Sequence, residues 1–232
     1  MSFPLGAETP RIKICGVTRE EDVLAAVQHG ASYLGLNFYE RSPRFLELDR
    51  ARALRAAVPD GVRVVGVFVN AAPEVVRRTQ YEVGLDLVQF HGDEPLEEMR
   101  PFAAQAIRAV RHRTGMDAAD LQIYDDFFGV LVDAPSSAAS DGAYGGTGES
   151  WAWEQVRPLS EGRRLFLAGG LRPENVAMAI RSVPGAYAVD VSSGIESAPG
   201  VKSRERLASF QDQVLRSRGA EASETSRLEV QP

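Results

Sequence analysis

Cysteine is nearly absent from this chain: Cys15 is the only one in 232 residues. One thiol cannot close an internal disulfide, so stability has to come from an apolar core, and the setting is read as the reducing cytoplasm. Long hydrophobic runs are missing as well, and none approaches the roughly 20 residues that cross a bilayer. Residues 1–10, Met1 to Pro10, have neither a basic start nor an apolar stretch and are read as an N-terminal extension, not a signal peptide. Positive charge is not in excess either. A formal net charge of −6 argues against nucleic acid or a membrane surface as a partner.

What is there suits a soluble α/β protein. Hydrophobic residues make up 44% and charged residues 25% of the chain, and its length suits an α/β barrel able to bury a large core. Eight apolar, β-branched-rich segments alternate with helical patterns: Arg11–Cys15, Tyr33–Phe38, Arg63–Val69, Leu85–Phe90, Ala106–Val110, Phe128–Asp133, Arg164–Ala168 and Ala186–Val191. Several are apolar on successive residues, as expected of parallel strands covered on both faces. Thr18-Arg19-Glu20-Glu21 reads as a capping box, Pro73, Pro95 and Pro173 as first-turn prolines, and Gly84 as a helix stop. The pattern predicts a single (β/α)8 TIM barrel over residues 11–216, with an open doubly wound sheet as the alternative. Residues 217–232, polar and poor in aromatics, are expected to form a disordered tail. Ala134 to Ser150, rich in Gly, Ser and Ala directly after Asp133, is expected to be a functional lid.

Barrel enzymes build their sites at strand C-terminal ends. Those ends here carry Cys15, Asn37 with Arg44 beyond it, Asn70, Gln89 with His91, Arg108 to Arg111, Asp133, Gly169-Gly170, and Asp190 with Ser192-Ser193-Gly194. Lys13 stands two residues before Cys15, on the same side of the strand. Gly169-Gly170 and Ser192-Ser193-Gly194 follow the seventh and eighth strands, where glycines and helix N-termini let backbone N–H groups meet a phosphate. The net negative charge does not oppose this, because dispersed surface charge is screened over roughly 8 Å while these donors would touch the ligand. Singly, each residue has a plain reading: Cys15 a small buried hydrophobe, Asp133 a loop cap, His91 a loop bridge, Arg44 a solvated charge. His29 and His112 read as surface residues without a role. Together they make an acid, a thiol and two anion loops on one rim.

At these residues the chain resembles the phosphoribosylanthranilate isomerase family of tryptophan biosynthesis, a TIM barrel of the ribulose-phosphate-binding type. The resemblance lies in Lys13-Ile14-Cys15-Gly16-Val17-Thr18, Ser42-Pro43-Arg44, Val65-Gly66-Val67-Phe68-Val69-Asn70 and Val88-Gln89-Phe90-His91-Gly92. It continues through Leu131-Val132-Asp133, Gly145-Gly146-Thr147-Gly148, Gly169 to Val176 and Val189 to Glu196. The resemblance implies an Amadori rearrangement of N-(5'-phosphoribosyl)anthranilate. Cys15 would be the general base, Asp133 the general acid, and Arg44 the holder of the anthranilate carboxylate. Lys13, Gln89, His91 and Asp190 would line the substrate. Gly146, Gly169, Gly170, Ser192, Ser193 and Gly194 would hold its phosphate. It implies no metal and no cofactor, a small phosphosugar as the partner, and a monomer or homodimer. Phe90 and Ala168 are mild departures from the family pattern. Two other readings stay open: another phosphosugar barrel, such as the histidine-pathway Amadori isomerase, and a non-catalytic phosphosugar-binding barrel.

Overall fold

Eight parallel strands hydrogen-bond in sequence order and close on themselves. They are β1 (Arg11–Cys15), β2 (Ala31–Asn37), β3 (Arg63–Phe68), β4 (Leu87–Phe90), β5 (Ala106–Arg111), β6 (Gly129–Asp133), β7 (Leu165–Ala168) and β8 (Ala188–Val191). The computed structural model describes residues 9–133 and 153–228. β1 pairs with β2 on one side and β8 on the other, which leaves no sheet edge and rules out the open doubly wound alternative.

The helices are α1 (Glu20–Gln28), α2 (Leu48–Ala56), α3 (Pro73–Val83), α4 (Leu96–Met99), α5 (Trp153–Val156), α6 (Val176–Ser182) and α7 (Arg204–Leu228). A 3-10 turn, Ala118–Tyr124, lies between β5 and β6 and is capped by Asp117. A small antiparallel hairpin, β9 (Glu196–Ala198) and β10 (Val201–Lys202), follows β8. Among the described residues no helix is long and apolar enough to cross a membrane.

Strand alternation sorts the apolar residues into two cores. Tyr33, Val65, Leu87, Ile107, Leu131 and Phe166 fill the barrel interior. Ile12, Ile14, Leu34, Val88, Val130, Val132 and Val189 face outward and pack under the helices with Leu54, Val76, Val176 and Phe210. Each such side chain taken fully from water contributes about 1.5–3 kcal/mol. Two cores explain why the strands read as continuous apolar runs. The N-terminal end of the barrel is plugged by aromatics: Tyr33 and Tyr187 share a 2.8 Å hydroxyl contact, and Phe166 packs edge-on to both. Arg11 caps this layer over the Tyr187 ring and Arg164 over Phe128. Polar groups inside the barrel therefore gather at the opposite, C-terminal mouth.

Several local expectations need correction. Thr18 does not cap α1; its hydroxyl donates to the Gly200 carbonyl at 2.6 Å, and the N-cap, Arg19, makes no side-chain cap bond. Pro73 does open α3 and left-handed Gly84 does end it. Pro95 instead caps α4 from outside, and Pro173 lies before the Asn175 cap of α6. α7 continues past Arg216 to Leu228, within the segment expected as a tail. His112 is buried, 5% exposed, and neither ring nitrogen has a hydrogen-bond partner among the described residues. The Ala134 to Ser150 segment lies outside the described residues.

Candidate active site

Parity along the strands decides which side chains reach the mouth. Ile12 and Ile14 belong to the outer core, so Lys13 and Cys15 point into the barrel. Val189 and Val191 likewise turn Asp190 inward, while Leu87 and Leu131, both interior, share their faces with Gln89 and Asp133. Four of these residues stand at or near the C-terminal ends of β1, β4, β6 and β8. Cys15, Gln89, His91, Asp133, Asp190 and the glycine loops after β7 and β8 thus stand on one rim, and Arg44 comes from the loop after β2. Gly146 lies outside the described residues.

Lys13 is fully buried and donates to Asp190 at 2.7 Å. Burial opposes its charge, but Asp190 and Cys15 outweigh that and hold its pKa above the ordinary lysine value. Cys15 is half-buried at the strand exit. Desolvation pushes its thiol up; Lys13 and Lys202 pull it down, Asp190 adds to the rise, and the balance favours the neutral thiol. Asp133 is also raised by desolvation, with Asp190 adding and His91 and Arg111 opposing. Around the barrel the thiol and the carboxyl are separated by β7 and β8.

Gln89, 1% exposed, contacts His91 Nδ1 through Nε2 at 2.8 Å, and its Oε1 has no partner among the described residues. The protein around the mouth desolvates His91, Lys13 repels its proton, and its pKa falls below the usual imidazole value although the residue as a whole is exposed. Neutral imidazole is then the form facing the mouth at pH 7.

The loops after β7 and β8 are shaped by backbone. Gly169 and Gly170 both have positive φ, 96° and 60°. The Asn175 side chain holds the turn, donating to the Gly170 carbonyl at 2.9 Å and accepting from the Arg172 N–H at 2.8 Å. A Cβ on Gly194 would stand 1.9 Å from the Leu171 carbonyl oxygen, so the two loops touch only because position 194 lacks a side chain. Ser193 opens the 3-10 turn Ser193–Ile195, while the Ser192 hydroxyl donates to the Cys15 carbonyl at 3.1 Å. The two glycine loops and the thiol strand form one connected wall.

Arg44 does not stand as a free guanidinium. Its Nε and Nη2 donate to Glu196 at 2.8 and 2.6 Å, leaving Nη1 outside that fork. Glu196 and its second partner, Lys202, were not expected as site residues. Glu196 directly follows the Ser-Ser-Gly-Ile run, which is a usable signal; Lys202 sits on a two-residue strand that has none. Glu94 was missed too. It is buried and accepts from the Asn70 and Gly92 N–H groups and from Arg108 at 2.8, 3.0 and 2.7 Å. That knot pins the loops after β3 and β4 below His91.

A half-buried carboxyl whose pKa is raised by desolvation and a thiol beside two ammonium groups can move two protons on one small molecule. The flanking glycine loops can take an anion attached to it.

A family model described as N-(5'phosphoribosyl)anthranilate (PRA) isomerase matches residues 12–213. A curated N-(5'-phosphoribosyl)anthranilate isomerase from Syntrophus aciditrophicus is 46% identical over 219 residues, 94% of this chain and 93% of its own. The crystal structure of phosphoribosyl anthranilate isomerase from Thermotoga maritima matches with a TM-score of 0.76 and 37% identity, over 89% of this chain and 98% of that one. A further structure of such an isomerase holds reduced 1-(o-carboxyphenylamino)-1-deoxyribulose 5-phosphate; it matches with a TM-score of 0.75 and 35% identity, over 89% and 98% of the two chains.

Proposed function

This chain belongs to the N-(5'-phosphoribosyl)anthranilate isomerase family, and we propose that Cys15 and Asp133 are the base and acid of its reaction. The protein is an isomerase of tryptophan biosynthesis. It turns the aminoaldose N-(5'-phosphoribosyl)anthranilate into the aminoketose 1-(2-carboxyphenylamino)-1-deoxyribulose 5-phosphate.

Asp133 in its neutral form donates a proton to the ribose ring oxygen. The C1'–O bond breaks as the anthranilate nitrogen supplies electrons, giving an open-chain iminium. The Cys15 thiolate takes the C2' proton, and the electron pair of that C–H bond moves to form the enolamine. The enolamine gains a proton at C1' and loses one from the C2' hydroxyl to become the ketone. Hydrogen moves within one molecule, so the step balances without an outside oxidant or reductant. The observation that carries this assignment is the pair of inward-facing ends of β1 and β6, with burial raising Asp133 towards its neutral form.

The remaining groups bind. The loops at Gly169-Gly170 and Ser192-Ser193-Gly194, with Gly146, hold the phosphate. Arg44 holds the anthranilate carboxylate, and Lys13, Gln89, His91 and Asp190 line the sugar. Every one of these residues comes from a single chain, in keeping with a monomer or a homodimer, and the free thiol suits the cytoplasm. Purified protein given freshly made phosphoribosylanthranilate should remove its anthranilate-type fluorescence. Near-normal rates in both Cys15→Ala and Asp133→Asn would overturn the acid–base assignment.

A further inference from the structure

One chain of charged contacts ties together three separate parts of the mouth. Lys202, 3% exposed, donates from Nζ to the Cys15 carbonyl at 2.6 Å, to Glu196 at 2.8 Å and to the Ser192 carbonyl at 3.3 Å. Glu196 also receives the Arg44 fork. The stem of Arg44 is seated over the exit of β1, because a Cβ on Gly16 would stand 2.2 Å from its Cδ. The end of β1, the loop after β2 and the hairpin after β8 therefore share one buried electrostatic post. Buried ion pairs add little net stability once desolvation is counted, so stability does not account for this arrangement.

The charge around Cys15 is unbalanced. Lys13 on β1, Arg44 after β2 and Lys202 on β10 are cations; Asp190 on β8 and Glu196 on β9 are anions. The cluster is one negative charge short, and an ionised thiol or a bound carboxylate would complete it. We propose that Glu196 and Lys202 are positioning residues of the reaction: Glu196 orients Arg44 so that its unforked Nη1 serves the substrate carboxylate, and Lys202 fixes the carbonyl and the charge surroundings of Cys15. This rests on the reading of Cys15 as base and Arg44 as carboxylate holder. Neither residue need touch the substrate.

The lone cysteine makes a direct test possible, since every alkylation event reports Cys15. Iodoacetamide alkylation against pH, with steady-state kinetics alongside, should be run on wild type, Lys202→Met and Glu196→Gln. Lys202→Met should move the alkylation midpoint up by about one pH unit and lower kcat at pH 7 about tenfold with KM little changed. Glu196→Gln should move the midpoint down, because it leaves Lys202 and Arg44 uncompensated, and should raise KM about tenfold with a smaller effect on kcat. Midpoints that stay within a few tenths of a unit, or that move the same way in both variants, would overturn the proposal, since loosened packing has no reason to give opposite signs. Should circular dichroism show that Lys202→Met does not fold, the direction of the Glu196→Gln midpoint and its split between KM and kcat decide the matter. A wild type that never consumes phosphoribosylanthranilate would instead sink the assigned reaction, and the alkylation midpoints would still judge the charge arrangement.

Discussion

Lys13 and Asp190 meet inside the barrel at 2.7 Å, joining the first strand to the last across its closing seam. The register puts the two directly opposite each other, and Lys13 has no contact with water. Its pKa is held above the ordinary lysine value, so the stability its ammonium contributes is fully present below the unfolded lysine value and is lost as pH rises through the elevated one. Asp190→Asn would strand a buried ammonium and should cost about 3–5 kcal/mol in urea unfolding at neutral pH. A loss below 1 kcal/mol would mean that the pair does not carry the seam.

Asp133→Asn should split stability from activity. A carboxyl whose folded pKa is raised binds more protons folded than unfolded, so its contribution to stability falls as pH rises from the unfolded value through the folded one. At pH 7 the wild type bears that cost and the asparagine variant does not. Thermal melting should show Asp133→Asn at least as stable as wild type, with kcat/KM lower by about 10²-fold or more.

Cys15→Ser should keep the fold and lose most of the rate. A hydroxyl is a far weaker base at neutral pH than a thiol, even one whose pKa burial has raised, and a drop of about 10²-fold or more is expected in the fluorescence assay.

The pH–rate profile should be a bell. The productive form needs Asp133 protonated and Cys15 ionised, and both groups titrate above their ordinary values because both are desolvated. Activity should rise through the lower titration and fall beyond the upper one, with apparent values belonging to the pair. An alkaline limb below the usual thiol range would contradict the desolvation of Cys15.

Gly194→Ala tests the phosphate wall. Its Cβ would collide with the Leu171 backbone, which cannot rotate away, so the change should cost about 1–3 kcal/mol and weaken inhibition by inorganic phosphate.

The strand positions were legible because apolar residues on both faces of a strand follow from a sheet packed against helices outside and side chains inside. All eight expected strands overlap an observed one, with ends shifted by a residue or two. Cys15 and Asp133 were legible because they stand where such strands stop. Thr18 misled because its local pattern suits a cap, whereas its hydroxyl is taken by Gly200, 182 positions away. His112 misled because a histidine flanked by arginines looks solvated, and nothing local shows that it is buried.

By itself the sequence determined the alternation of strands and helices, the parity that sends Lys13, Cys15, Gln89, Asp133 and Asp190 to one side, and the glycines where backbone has to be bare. These are properties of a few consecutive residues. Closure of the barrel, the Lys13–Asp190 seam and the Arg44–Glu196–Lys202 post were decided only by the tertiary structure. Each depends on a distance between groups remote in sequence, such as the 187 positions between Cys15 and Lys202. Coulomb and hydrogen-bond energies depend on such distances, and no local pattern encodes them.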